Sequence, residues 1–127
     1  MNANRDRANE VSNRIIGAAL TVANALGVGF VEKVYENALA HELRQAGLAV
    51  GQQRGISVFY DGVTVGEYTT DLLVEDCVIV ELKAVTDLDN VHRAQCMNYL
   101  KATGLHLCML LDFGKPRLQM KRIVQNF

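Results

Sequence analysis

The chain has 127 residues, 50% of them hydrophobic, which is enough for one domain over residues 1–127 with a real core and too short for two. Its formal net charge of -1 excludes the strong basic excess that drives sequence-independent nucleic-acid binding, so any such role rests on a local patch. No apolar run approaches the roughly 20 residues that span a bilayer, and none follows the N-terminal charges, which points to a soluble, cytoplasmic protein with no membrane role.

From Arg7 to Leu26, Ile15, Ile16, Ala19, Leu20, Ala23 and Leu26 recur at helical spacing, and Gly27 is a natural stop. After the turn "GVGF" a second helix is expected over Val31 to Ala46, closed by Gly47. Gly27 and Gly29 do not make a dinucleotide loop, because no strand precedes them. The period then changes to 2, with Ile56, Val58 and Tyr60 alternating up to Asp61-Gly62, and Val63 and Val65 beyond it. This is the pattern of a two-residue hairpin. A second turn at Glu75 and Asp76 joins a strand ending at Val74 to one beginning at Cys77. Helical spacing returns from Asn90 to Thr103. "HLCMLLDF" and "RLQMKRIV" read as two last strands around Gly114 to Pro116, giving the order ααβββαββ in an α+β domain. Cys77, Cys96 and Cys108 suit reduced core thiols better than a disulfide framework. His92 and Cys96 stand one helical turn apart but lack the second ligand pair that a zinc site needs.

The segment "TTDLLVEDCVIVELKAV" sets charges into strands that should be apolar. Glu81 and Lys83 are two apart and share a face. A strict two-residue turn at Glu75-Asp76 would put Asp71 opposite Val80, facing away from Glu81. A three-residue loop or a bulge would bring it beside Glu81. Two carboxylates meeting in a sheet repel, and a hard cation such as Mg²⁺ resolves the repulsion. A buried ion pair of Lys83 with Glu81 or Asp71 is the competing reading of the same spacing.

Asp71 followed by Glu81-Leu82-Lys83 resembles the (P)D…(D/E)xK signature of the restriction-endonuclease-like nucleases, and "GFVEKVY", Gly29 to Tyr35, matches G-x-x-E-x-x-Y. With "AQCMNYLKATG" and "LLDFGKPRLQMKRIV" following in order, the chain is identified as similar to the GxxExxY protein family of the PD-(D/E)xK superfamily. The resemblance implies a restriction-endonuclease-like core, a mixed central sheet with antiparallel hairpins flanked by helices. It implies metal ligation by Glu32, Asp71, Glu81 and the Leu82 carbonyl, with Lys83 as catalytic lysine. Gln95 and Tyr99 resemble the Q-x-x-x-Y element of RecB-type nucleases. Tyr35 is a core residue or a substrate contact, and Glu36 is expected in solvent. Thr69-Thr70 and Arg54-Gly55 depart from common family usage.

The resulting expectation is a nuclease dependent on Mg²⁺ or Mn²⁺, acting on nucleic acid, DNA before RNA. Asp71, Glu81 and Glu32 would hold the cation, Lys83 would assist water attack and Gln95 would buttress the site. A catalytically inactive nucleic-acid- or protein-interaction module with the same fold is the alternative. Basic residues cluster only at Arg5, Arg7 and Arg14 and at Lys115, Arg117, Lys121 and Arg122. A homodimer or a partner protein is therefore the expected source of a longer positive track.

Overall fold

The computed structural model describes residues 2–127 and has the elements α1 (Asn2–Leu26), α2 (Glu32–Gln45), β1 (Val50–Tyr60), β2 (Val63–Val74), β3 (Val78–Lys83), α3 (Asn90–Thr103), β4 (Leu107–Asp112) and β5 (Gln119–Val124). The expected α+β order is therefore present. The sheet runs β1-β2-β3-β4-β5. Its strands pair antiparallel except β3 and β4, which are parallel because α3 carries the chain across the sheet between them.

Alternation along the strands divides the core in two. Val78, Val80, Leu82, Met109 and Leu111 pack with Ile15 and Ala19 of α1 and Leu39 and Leu43 of α2. Ile79, Cys108 and Leu110 point the other way and pack with Cys96, Tyr99 and Leu100 of α3. The central strands β3 and β4 are covered on both faces, which is why they read as continuous apolar runs.

Several local signals behave as the sequence predicts. Helix α2 ends in a Schellman arrangement, in which Gly47 N–H donates to the Arg44 carbonyl at 2.9 Å and Leu48 N–H to that of Leu43 at 3.0 Å. Gly47 takes the left-handed φ of 87° that this cap requires. Asp61 and Gly62 have φ of 53° and 75° and join paired Tyr60 and Val63, as a type I′ hairpin demands.

Two element boundaries differ from the sequence reading. Helix α1 begins well before Arg7, and β1 starts at Val50, although Gly51 to Gly55 carry no apolar alternation. His92 is occupied in the capping box of α3, accepting from Asp89 N–H at 3.2 Å, and Cys96 is buried in the α3 core. No helix of the described residues is long and apolar enough to cross a membrane.

Candidate functional site

The position of Asp71 is decided by the turn between β2 and β3. Glu75 and Asp76 both adopt left-handed φ, Cys77 is left outside the ladder, and Val74 pairs with Val78. Three residues therefore separate the paired strands. Glu75 fixes this turn in place, since its Oε2 accepts from Ala49 N–H at 2.6 Å and its Oε1 from Arg7 at 3.2 Å. The ladder runs outward through Leu73 with Ile79 and Leu72 with Val80, so the next residues out are Asp71 and Glu81.

There the backbone ladder stops and the two carboxylates take over its donors. Asp71 N–H donates to Glu81 Oε1 at 3.1 Å, and Leu82 N–H donates to Asp71 Oδ2 at 2.8 Å. Thr70 Oγ1 adds a second donor to Glu81 Oε1 at 2.7 Å. These crossed bonds hold both acids at the point where the strands part. Glu81 is buried, and its carboxyl is pushed up to about 7, first by burial and then by the negative charge of Asp71. Thr70, the Asp71 N–H and the Lys83 ammonium pull it partly back.

Lys83 ends β3 beside Asp112 of β4 and is half-buried. No salt bridge joins it to Asp71 or Glu81 among the described residues, so the competing ion-pair reading is not met. The chain leaving Lys83 is tied down locally. Its carbonyl accepts from Phe113 N–H at 2.9 Å, and Asp112 Oδ1 accepts from the N–H groups of Val85 and Gly114 at 3.0 and 2.9 Å. Any side chain at Gly114 would collide with the Val85 backbone.

The acid from α2 is not the one expected. Glu32 is the first residue of the helix and exposed. Glu36, one turn later and expected in solvent, is buried on the face that carries Leu39, Ala40 and Leu43. A buried carboxylate needs donors, and Glu36 has three. Lys33 Nζ lies 3.0 and 3.1 Å from its two oxygens, and Gln52 Nε2 and Gln53 Nε2 each donate at 2.8 Å. Gln53 Nε2 also reaches Asp71 Oδ1 at 3.3 Å, while Gln53 Oε1 accepts from Thr69 Oγ1 at 3.2 Å. Gln53 lies between the pairs Gln52 with Leu72 and Arg54 with Thr70, and has φ of 51°, a conformation that costs about 1 kcal/mol or more for a residue with a side chain. Glu36 is thus coupled to Asp71 through Gln53 and not by direct approach.

Among the described residues no three Asp, Glu, His or Cys side chains converge closely enough to hold a metal ion, so the expected trio of Glu32, Asp71 and Glu81 is not assembled. Tyr35 is a core residue. Its hydroxyl donates to the Gly27 carbonyl at 2.6 Å and accepts from Phe30 N–H at 3.3 Å, and its ring stacks on Phe113 at 4.8 Å. It supports the turn before α2. Gln95 and Tyr99 meet at 2.9 Å, with the amide donating to the phenol oxygen. The Tyr99 phenol is raised above its ordinary value by burial and by the charges of Glu81 and Asp71. Glu36, Gln53, Thr70 and Asp112 were not singled out by the sequence as site residues. The one available signal was the polar run "GQQRG" where β1 begins.

A model of the PD-(D/E)XK nuclease superfamily matches residues 9–123, which include Glu36, Gln53, Asp71, Glu81, Lys83, Gln95 and Tyr99. The chain belongs to the PD-(D/E)XK nuclease superfamily. Nucleases of this superfamily act on nucleic acids and typically use divalent metals. A solved structure described as the crystal structure of SSO0001 shares the fold, with a TM-score of 0.54 at 13% identity over 98% of this chain. The chain spans 63% of the length of that protein. No curated protein matches the chain.

Proposed function

We propose that this member of the superfamily is a metal-dependent phosphodiesterase of the GxxExxY type that cleaves nucleic acid, DNA in the first place. The observation that carries the reading is the register of β2 on β3, which sets the Asp71 and Glu81 carboxylates against each other with Lys83 following on the same face.

The donor set fits Mg²⁺ or Mn²⁺. Asp71, Glu81 and the Leu82 carbonyl offer hard oxygens, two carboxylates suffice for an ion that keeps several waters, and the upward shift of Glu81, set first by burial and then by the Asp71 charge, is one a cation would offset. Glu36 stands behind this set as a positioning group. A bound divalent cation supplies charge neutralisation for the phosphate and water of lowered pKa at neutral pH. Lys83, which has no ion-pair partner among the described residues, meets negative charge that develops on the phosphate oxygens. Gln95 orients the Tyr99 phenol by donating to its oxygen. Because the net charge is -1, a second copy or a partner protein supplies the longer positive track.

The test is incubation of labelled single- and double-stranded DNA and RNA with the protein and Mg²⁺ or Mn²⁺. Cleavage that requires the cation and disappears in Glu81→Ala is expected. Cleavage surviving in that variant, or absent from every substrate, would overturn the reading.

Gln53 gives a finer check on the same site. In Gln53→Gly the left-handed φ costs nothing, while the amide between Asp71 and Glu36 is lost. Melting temperature is expected to fall modestly, since buried Glu36 loses one of its three donors, and divalent-cation affinity by calorimetry to fall roughly 10-fold or more, as when groups that orient metal ligands are removed. Unchanged affinity would mean that Gln53 does not orient Asp71.

A further inference from the structure

Beside the acid pair lies a cleft that the chemistry above does not use. It opens between α3 and the β1–β2 hairpin, has a volume of about 710 Å³, and is lined by Phe59 and Tyr68 of the hairpin and Gln95, Asn98, Tyr99 and Lys101 of α3. A shallower depression shares Tyr68 and Tyr99 with it and continues to Thr69, with Glu67 on its own lining. Thr69 bonds Gln53, whose amide reaches Asp71, and precedes Thr70, whose hydroxyl donates to Glu81, so cleft and acid pair adjoin.

Its aromatic rings are open. Phe59 is 64% and Tyr68 54% exposed, and the rings of Tyr68 and Tyr99 stand 6.0 Å apart at 49°, tilted and not stacked flat on each other. A satisfied core would have covered these faces.

We propose that this cleft receives an unpaired nucleobase of the substrate strand, which makes single-stranded or locally unstacked nucleic acid the substrate class of the adjoining site; the proposal rests on the nuclease reading above. The cleft's chemistry selects that occupant. Its lining contains no carboxylate, and Lys101, its one charged residue, suits a polyanion. Aromatic faces bind bases of any sequence by stacking. The amides of Gln95 and Asn98 offer both donors and acceptors to a base edge. The volume lies in the range of small-molecule sites and admits a nucleotide but not a duplex. In a duplex the base faces are already stacked, so such a pocket discriminates by strand state.

Binding can be measured apart from cleavage by fluorescence anisotropy in Ca²⁺ without Mg²⁺ or Mn²⁺. The probes are a labelled oligothymidylate of about 12 nucleotides, a sugar-phosphate oligomer of the same length without bases, and a hairpin duplex. Wild type is expected to bind the oligothymidylate roughly tenfold or more tightly than the base-free oligomer, and more tightly than the duplex. Tyr68→Ala should erase the preference for bases and Tyr68→Phe should keep it.

Equal binding of the two oligomers, no binding, or a preference unchanged in Tyr68→Ala would overturn the proposal. So would a change of oligomeric state in Tyr68→Ala, by light scattering, with binding intact, because a second copy would then cover the cleft. The two readings fail separately. Base-dependent binding without metal-dependent cleavage removes only the nuclease, whereas cleavage without base dependence removes only the cleft.

Discussion

Glu81→Ala is expected to abolish both the stabilisation by Mg²⁺ and the cleavage of nucleic acid, whereas Lys83→Ala should keep the first and lose most of the second. The two residues are neighbours on one face of β3, yet they are held differently. Glu81 is fixed by Thr70 Oγ1 and the Asp71 N–H against a second carboxylate, an arrangement suited to a cation ligand. Lys83 is bonded to neither acid, so its removal strands no ion-pair partner. A cation bound only to the native state raises stability by about 2.7 kcal/mol at a hundredfold excess over its Kd. That increment should vanish in Glu81→Ala and persist, or grow, in Lys83→Ala, where a competing positive charge is gone. Hydrolysis by Lys83→Ala should fall on the order of 100- to 1000-fold, the usual loss when one group that stabilises transition-state charge is deleted. Melting curves with and without Mg²⁺ read the first effect and single-turnover cleavage the second. Equal losses of stability of roughly 3 to 5 kcal/mol in both variants, indifferent to metal, would instead be the behaviour of a buried ion pair and would favour a non-catalytic module.

The contrast between Glu32 and Glu36 shows how far the sequence reaches. The order of helices and strands was legible because apolar periodicity changes from 3.6 to 2 and back, and because Gly47 and Asp61-Gly62 stand where caps and turns need them. Glu81 and Lys83 were assigned to one face correctly, since alternation along a strand is local. Their relation to Asp71 was not local. It depended on whether two or three residues separated β2 from β3, and apolar pattern around Val74 and Cys77 permits both. Contacts from Arg7 and Ala49 to Glu75, remote in sequence, accompany the longer loop.

Helix α2 misled for a related reason. The motif spacing draws attention to Glu32 and Tyr35, but a charged residue enters the interior only where donors await it. The donors for Glu36 come from Gln52 and Gln53, on a strand whose polar start conceals it from a periodicity argument. Gln53 is legible only afterwards, since its left-handed backbone cannot be read from a glutamine in an extended segment. Tyr35 was rightly given a core alternative, because a phenol near a glycine-rich turn finds backbone partners easily.

The acid pair should also leave a signature in the pH dependence of stability, and its sign is opposite to that of most carboxylates. Unfolded Glu81 ionises near 4.5, while in the native protein its carboxyl holds its proton up to about 7. Below 4.5 both states are protonated at this group and it has no effect. Between 4.5 and 7 the native state binds the extra proton, so raising the pH favours unfolding. Above 7 both states are ionised and the full cost remains, about 3 kcal/mol, since each tenfold difference in proton affinity between the two states is worth about 1.4 kcal/mol. Glu75, held below its usual range chiefly by the Ala49 N–H, acts in the other sense and loses its contribution in acid. The comparison that isolates Glu81 is therefore with Glu81→Gln, whose amide oxygen still accepts from Thr70 and the Asp71 N–H. In metal-free buffer the variant should match wild type near pH 4.5 and become progressively more stable than wild type up to pH 7. Mg²⁺ should close that gap by stabilising only wild type, and its affinity for wild type should rise through pH 7 as cation replaces proton. Parallel melting profiles for the two proteins across this range would mean that neither burial nor the Asp71 charge holds the proton on Glu81, and the metal assignment would lose its electrostatic basis.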